Sequence, residues 1–335
     1  MTKQHPPLLD RFGRKHTYLR ISLTEKCNLK CTYCRPELND FYSPRQQIMS
    51  ATEIVALSKT FVNLGIEKIR LTGGEPLVRK DLALILKQLS ELPVELALTT
   101  NGIMIDKHLT LLQECGITSI NVSLDTLDRD KFISIARKDH FERVFKNIQV
   151  LIALGIKVKV NAVLIKGMND AEILDFIELT RNLPIAIRFI EFMPFDGNKW
   201  DLEKMIPLSA VLQVAASKYG AESILPGEQK LNDTVKNFTI EGFKGTFGVI
   251  STVSEPFCDS CNRVRITANG HLKNCLFSEG ETDLLTPLRA GEDIVPLIQQ
   301  SIASKKEIRG GKPDLDNFAD PSAHQSNRSM IAIGG

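Results

Sequence analysis

The sequence predicts an α/β fold: an incomplete (β/α)6 barrel of the TIM type, followed by a C-terminal cluster-binding extension. Three observations carry the barrel, and a second group of cysteines carries the extension. Over the first two-thirds of the 335 residues, apolar strand-like runs alternate with helix-like segments, at the spacing of about 25 to 35 residues expected of βαβ units. No Gly-x-Gly-x-x-Gly follows the first strand, which disfavours a doubly wound dinucleotide fold. The strands also alternate strictly, with apolar residues on one face and polar, often basic residues on the other.

In chain order, the expected strands are 18–23, 68–72, 94–99, 119–124, 156–163 and 185–191. The clearest helix starts at Ser50, where Glu53 completes a capping box, and stops at Gly65. Others are expected over 81–92, 106–115, 141–154 and 171–182, with Gly116 and Gly155 as stops. Beyond Phe192 the pattern changes to a loop over 194–201, a helix over 208–219 and a second loop over 226–233. Segments 236–241 and 246–253 can pair as a hairpin across Gly242 and Gly245, and helices are expected within 284–304. This divides the chain into an N-terminal arm (1–15), the partial barrel (16–220), a second-cysteine and substrate-binding region (221–308) and a tail (309–335) ending in Gly334-Gly335, which is mobile unless its last apolar residues dock.

The alternation predicts what the barrel encloses. Leu19, Ile21 and Leu23 oppose Arg20 and Ser22; Ile69 and Leu71 oppose Lys68, Arg70 and Thr72. Ile120 and Val122 oppose Asn121 and Ser123, and Val158 and Val160 oppose Lys157, Lys159 and Asn161. Helices must cover the apolar faces, so the polar residues point inward. A closed eight-stranded barrel fills its interior with branched apolar side chains; this one is expected to have a wet, basic lumen suited to a large polar anion. The alternative is an antiparallel sheet with one face in water, which the regular intervening helices disfavour.

Composition is that of a soluble globular protein, with 43% hydrophobic and 24% charged residues. A net charge of +2 does not suggest a general nucleic-acid binder. Residues 1–10 lack the apolar core of a signal peptide, and no uncharged run reaches membrane length. A cytoplasmic protein is therefore expected, with neither membrane nor nucleic acid as partner. In that setting closely spaced cysteines suggest metal or catalysis rather than disulfides.

Six of the seven cysteines fall into two groups of three. Cys27, Cys31 and Cys34 form C-x3-C-x2-C directly after the first strand, at the barrel mouth where active sites of such folds lie. Three thiolates can hold three irons of a four-iron cluster and leave the fourth open to a small molecule. A zinc knuckle would want a fourth ligand nearby, and none is evident. Cys258, Cys261 and Cys275 form the second group. With His271 four residues before Cys275, a Cys3His zinc site is a serious alternative there. Cys115 ends an apolar helical stretch and reads as a buried structural thiol.

The first triplet, with Tyr33 before its last cysteine, resembles the signature of radical S-adenosylmethionine (SAM) enzymes, and Thr72-Gly73-Gly74-Glu75-Pro76 resembles their Gly-Gly-Glu-Pro element. The resemblance implies that the open iron chelates the methionine end of SAM and that one electron cleaves the sulfonium to a 5′-deoxyadenosyl radical. It implies SAM contacts at Tyr33, Gly74, Ser123 and Met193, and a use for Glu75 near the methionine ammonium.

Residues 258–267 with Cys275-Leu276-Phe277, together with residues 13–14, 18–22, 188–193 and the final Gly334-Gly335, are similar to the MoaA family of GTP 3′,8-cyclases in molybdenum cofactor biosynthesis. That likeness implies a second [4Fe-4S] cluster on Cys258, Cys261 and Cys275 whose open iron meets the guanine, with His271 not a ligand. It implies GTP contacts at Arg20, Arg70, Thr99, Lys159, Arg263 and Arg265, with Arg188 a further candidate. The implied reaction removes hydrogen from ribose C3′ of GTP and joins that carbon to guanine C8. It also implies a reducing electron donor, a downstream cyclic pyranopterin monophosphate synthase, a homodimer and a diglycine tail reaching the active site. Arg35 departs from the family, which has Met after the last cysteine of the first triplet. Two other readings remain open: a peptide-modifying maturase with an auxiliary cluster, and a zinc-stabilised binding module without radical chemistry.

Overall fold

The computed structural model describes residues 6–34, 42–320, 324 and 327–334; Arg35 and Gly335 lie outside the described residues. The first two-thirds follow the expected alternation: β1 (Tyr18–Ser22), α1 (Ala51–Asn63), β2 (Lys68–Thr72), α2 (Leu82–Ser90), β3 (Glu95–Thr100), α3 (Ile105–Glu114) and β4 (Ser119–Ser123). Next come α4 (Arg129–Ala136), α5 (Phe141–Ala153), β5 (Lys157–Leu164), α6 (Ile173–Asn182) and β6 (Ala186–Glu191). The Ser50–Glu53 capping box is formed in both directions. Helix α4 was not expected. Its N-cap is Asp128, whose carboxylate accepts from the Lys131 amide, and it buries Phe132, Ile135 and Ala136. At this length a helix owes its stability to the face it packs rather than to propensity.

The C-terminal third adds α7 (Leu208–Tyr219), β7 (Ile224–Pro226), β8 (Lys236–Ile240), β9 (Thr246–Ile250), β10 (Arg263–Ile266), β11 (His271–Lys273) and β12 (Thr282–Asp283). Four short helices follow: α8 (Leu285–Arg289), α9 (Val295–Ala303), α10 (Leu315–Ala319) and α11 (Met330–Ile333). The expected hairpin is the antiparallel pair β8–β9. The sheet order is β12-β11-β10-β1-β2-β3-β4-β5-β6-β9-β8-β7. Strands β9 and β10 run parallel to β6 and β1, so the C-terminal region lengthens the six-stranded parallel core at both edges. Strands from both sides of residue 220 therefore share one sheet.

The sheet curves. Arg188 on β6 has its ionisation pushed down to about 10, by burial first and then by the charge of Arg70 on β2. Strands β2 and β6 are four apart in the sheet, and their two guanidinium groups still act on each other over its polar face. Leu19, Ile21, Ile69, Leu71, Ile120, Val122, Val158 and Val160 pack into the main core with the helices. Their polar neighbours face the concave side, as the alternation requires. On one side Arg70 and Lys159 stand opposite Ala97 on β3 and Ala186 on β6, which leaves room for the long side chains.

Among the described residues the tail docks through apolar side chains. Phe318 and Ile333 join a second apolar cluster with Ile165, Phe192, Phe195, Trp200, Val253 and Phe277. Phe318 meets Phe277 edge to face at 4.8 Å. The polar wording of 309–335 hid these few anchors, whose partners lie far away in sequence. No helix among the described residues is long and apolar enough to cross a membrane.

Candidate active site

The loop after β1 carries Cys27, Cys31 and Cys34, all half-buried. It is fixed on two sides. The Lys30 and Thr32 amides donate to the carbonyls of Ala136 and Ile135 at the end of α4. The Gly74 and Glu75 amides, in the loop after β2, donate to the carbonyls of Thr24 and Lys26 at 2.7 and 2.8 Å. This contact demands glycine: a Cβ on Gly73 would stand 2.6 Å from Thr24 O, and one on Gly74 would stand 2.6 Å from Lys26 O.

The three thiols influence one another. Cys31 is pushed well up by burial, then by Asp125 and by the charges of Cys34 and Cys27; burial raises Cys27 to about 11. A metal core reverses this, because coordination deprotonates thiols outright. Donors to sulfur are already present: the Leu29 amide at 3.4 Å and the Asn101 side-chain amide at 3.8 Å, both to Cys27 Sγ.

Glu75 is spent on structure. Its oxygens accept from Thr100 Oγ1 (2.8 Å), the Asn101 amide (2.7 Å) and the Leu77 amide (3.0 Å). Burial raises its carboxyl to about 7. It ties the loop after β2 to the end of β3. Tyr33, Gly74, Ser123 and Met193 lie in or just past the C-terminal ends of β1, β2, β4 and β6, on one rim of the sheet. The Tyr33 hydroxyl donates to Asp125 Oδ2 at 2.8 Å. Asp125 had not been singled out, and it also accepts from the Val163 amide at 2.9 Å.

The second triplet lies at the other end. Cys258 and Cys261 precede β10, and β10 pairs in register with β1, Tyr18 beside Arg263. Cys275 follows β11, which runs antiparallel to β10. Tyr18 to Ser22 is about 13 Å of strand at roughly 3.3 Å per residue, so the two cysteine groups flank the concave face from opposite ends. Burial raises the Cys258 thiol, with the charges of Cys275 and Cys261 adding to it. For Cys261 burial also pushes upward, but Lys305 and Arg263 outweigh it and bring the thiol down to about 6. Lys305 Nζ and the Arg309 amide donate to Cys261 Sγ and Cys258 Sγ, each at 3.4 Å. His271 turns its Nδ1 to the Asn269 carbonyl at 3.2 Å. Among the described residues no three or more His, Cys, Asp or Glu are grouped so as to hold a metal ion. A four-iron cluster binds each thiolate at a separate corner and does not require that convergence.

Between the two groups stand Arg20, Arg70, Lys159, Arg188 and Arg265, with Arg263 at the edge stacked 4.7 Å from the Phe257 ring. Among the described residues none of them forms an ion pair with a carboxylate. Arg70 donates through Nε to the Tyr18 hydroxyl and through Nη1 to Leu98 O (2.9 Å) and Thr99 Oγ1 (3.4 Å). Arg265 donates to Gly334 O at 3.0 Å. Nε of Arg20 and of Arg188 is buried without a partner, as are Oδ1 of Asn121 and of Asn161. Burial, before neighbouring charges, depresses Arg20 to about 10, Lys159 to about 8 and Arg265 well below its usual range. Cations drawn partly out of water without a counter-charge are costly, and a polyanion would relieve them.

Sequence reasoning missed Tyr18, Lys305 and Arg14 as parts of this site. Tyr18 shares a face with Arg20 and was open to discovery by alternation. Arg14 donates to the carbonyls of Cys258 (2.8 Å), Glu307 (2.8 Å) and Lys306 (2.9 Å). That clamp and the placing of Lys305 depend on tertiary contacts with no local signal.

Comparison with known proteins agrees with this geometry. Residues 21–180 match the Radical SAM superfamily and residues 185–310 match Molybdenum Cofactor Synthesis C. The chain is 47% identical to the mitochondrial GTP 3′,8-cyclase of Arabidopsis thaliana, over 98% of this chain and 83% of that protein. It is 41% identical to the GTP 3′,8-cyclase of Listeria welshimeri, over 98% and 99%. It is 44% identical to molybdenum cofactor biosynthesis protein 1 of Mus musculus, of whose length it spans about half (51%). Among solved structures, Streptococcus suis SuiB bound to S-adenosylmethionine shares the fold at a TM-score of 0.56 and 18% identity, over 91% of this chain and 66% of that one. Superfamily membership implies one four-iron cluster and SAM, and the first triplet fits them. By its sequence and by the arrangement of its two cysteine groups, the chain belongs to the GTP 3′,8-cyclase family of the radical SAM superfamily.

Proposed function

We propose that this protein converts GTP to (8S)-3′,8-cyclo-7,8-dihydroguanosine 5′-triphosphate, the first step of molybdenum cofactor biosynthesis. One observation supports this above the others: a set of buried and half-buried arginines and a lysine, without a carboxylate ion pair among the described residues, lies between two three-cysteine groups. A triphosphate carries about four negative charges near neutrality and needs several forked or point-charge donors.

Cys27, Cys31 and Cys34 would hold the first [4Fe-4S] cluster, with Tyr33, Gly74, Ser123 and Met193 around SAM. When bound and reduced by an external donor, this pair supplies the radical that takes hydrogen from ribose C3′. Cys258, Cys261 and Cys275 would hold a second [4Fe-4S] cluster near the guanine. Arg20, Arg70, Lys159, Arg263 and Arg265 bind the triphosphate, and Arg188, beside Lys159, joins them. Thr99 and Tyr18 fix Arg70, so its fork is already aimed before GTP arrives, and preorganised donors cost no reorganisation in the reaction. The docked tail narrows the chamber at β1 and β2 and helps to exclude water.

The test is an anaerobic incubation of the reconstituted protein with GTP, SAM and reductant, with the nucleotide product identified by mass spectrometry. The cyclised triphosphate together with 5′-deoxyadenosine is the expected result. Cleavage of SAM without a GTP-derived product would remove GTP as substrate. A chain holding zinc and no iron would remove the radical reading altogether.

A further inference from the structure

Lys305 is 2% exposed. It lies just beyond α9, where its amide donates to Ile302 O at 3.1 Å. Its ammonium donates to Cys261 Sγ at 3.4 Å and to Arg263 O at 3.0 Å, and among the described residues it forms no ion pair with a carboxylate. The buried acid of this neighbourhood, Asp10, is already taken: Arg14 Nε binds it at 2.6 Å and His16 Nε2 at 3.2 Å. A buried ammonium without a counter-charge is unfavourable enough that it needs an explanation. The sulfur of Cys261 is the anion available to it once that thiol is a ligand.

The two cysteine groups differ in this respect. Sulfur in the first group receives neutral amides, from Leu29 and Asn101; the buried carboxyl groups of Asp125 and Glu75 stand near it, and the charge of Lys138 acts on Cys27 more weakly than that of Glu75. Sulfur in the second receives a full positive charge from Lys305 as well as the Arg309 amide. Hydrogen bonds and charge at the sulfurs are among the terms that set the reduction potential of an iron–sulfur centre. A fixed cation favours the state carrying the extra electron.

We propose that Lys305 is a positioning residue of the second metal centre: its ammonium is the fixed counter-charge of the Cys261 thiolate and makes this centre easier to reduce than a neutral side chain there would. The inference rests on the reading of Cys258, Cys261 and Cys275 as holding a [4Fe-4S] cluster. The step concerned is a one-electron reduction from the 2+ to the 1+ core, the electron coming from the external reductant and no proton moving. Lysine suits the task as a compact point charge on a long apolar stem.

The full-length chain carrying C27S, C31S and C34S isolates the second centre. In that background, iron and sulfide are counted after anaerobic reconstitution, and the centre is titrated reductively with its paramagnetic resonance as readout. About four irons per chain are expected for one cluster of this type. Adding Lys305→Met should shift the oxidised-to-reduced ratio at fixed potential at least tenfold toward oxidised, about 59 mV for a one-electron couple. Lys305→Arg, which keeps the charge, should restore most of that shift, and Lys305→Gln should match the methionine variant. If the background chain binds no iron, the second-cluster reading fails and the proposal with it. If four irons bind but Met and Gln variants titrate as Lys305 does, the cluster stands and the role of Lys305 is overturned. A shift in the arginine variant as large as in the methionine variant also overturns it, since loss of packing rather than of charge would then be the cause.

Discussion

Arg265 Nη1 donates to the Gly334 carbonyl at 3.0 Å across 69 residues of sequence. The end of the chain is thereby held against the ends of β1 and β2. Gly334 has φ +87°, and a Cβ there would stand 2.7 Å from Thr72 Oγ1 and 2.8 Å from Ser22 Cβ. Gly334→Ala is expected to lift the tail off this seat. A strained left-handed residue costs on the order of 1–3 kcal/mol, enough to undock a short segment and too local to unfold the sheet. Amide hydrogen exchange over residues 327–334 should rise at least tenfold while exchange in β1 to β6 is unchanged. Equal protection of wild type and variant would contradict the docking.

The charge of Lys159 makes GTP binding depend on pH. Burial, then Arg188, Arg70 and Lys68, lower its pKa to about 8, against about 10.4 in an unfolded chain. The unfolded state binds more protons between those values, so this lysine makes stability rise with pH from about 8 to about 10.4, and its cost is fully present below 8. A bound polyanion acts the other way and draws the proton back. Above pH 8, GTP binding should take up a fraction of a proton, measurable by titration calorimetry in buffers of different ionisation enthalpy. Tyr18 titrates in the same range: burial raises it, but Arg70 and Arg20 outweigh burial and bring it to about 8. Lys159→Arg should remove part of the uptake, and the double variant with Tyr18→Phe nearly all of it. Binding without proton uptake in the wild type would place the phosphates elsewhere.

Much of this site was legible because short-range rules govern it. Alternation put Arg20, Arg70, Asn121 and Lys159 on one face, and in-register parallel pairing of their strands was enough to gather them. The glycines after β2 declared themselves by sequence, and the close approach of Thr24 and Lys26 explains the need for them. Three things were not legible. Helix α4 is short, and its buried face of Phe132, Ile135 and Ala136 blends into the loop before it. The addition of β9 and β10 to the two edges of the core is a long-range pairing that no local pattern encodes. The docking of Phe318 and Ile333 depends on a pocket whose walls come from residues 165 to 277. Glu75 was legible as a site residue, but not the three donors that hold it, from Leu77, Thr100 and Asn101.

The second cysteine group should be separable from the first. Cys275→Ser leaves the loop after β1 and its contacts with the Gly74 loop untouched, so cleavage of SAM should persist while formation of the cyclised nucleotide falls at least a hundredfold, about 2.7 kcal/mol in activation free energy. Iron should fall from about eight to about four per chain, since a [4Fe-4S] centre that loses one of three protein ligands is not retained. Undiminished product formation by this variant would take the second centre out of the mechanism.

Gly74→Ala should do the reverse. Its added Cβ would meet the carbonyl oxygens of Lys26 at 2.6 Å and Glu25 at 2.7 Å. Both atoms belong to the backbone just ahead of Cys27, so the clash cannot be relieved by turning a side chain. The loop after β2 must move away, breaking the hydrogen bonds from the Gly74 and Glu75 amides to Thr24 and Lys26. Two lost backbone hydrogen bonds at about 1 kcal/mol each loosen the loop without unfolding a sheet whose strands remain paired. The first centre should lose SAM binding and most of its iron, while the second keeps about four irons. Equilibrium dialysis with labelled SAM, run beside iron analysis, checks both. SAM binding at wild-type strength would mean that the two loops can part without disturbing the site, and the glycine would then serve folding alone.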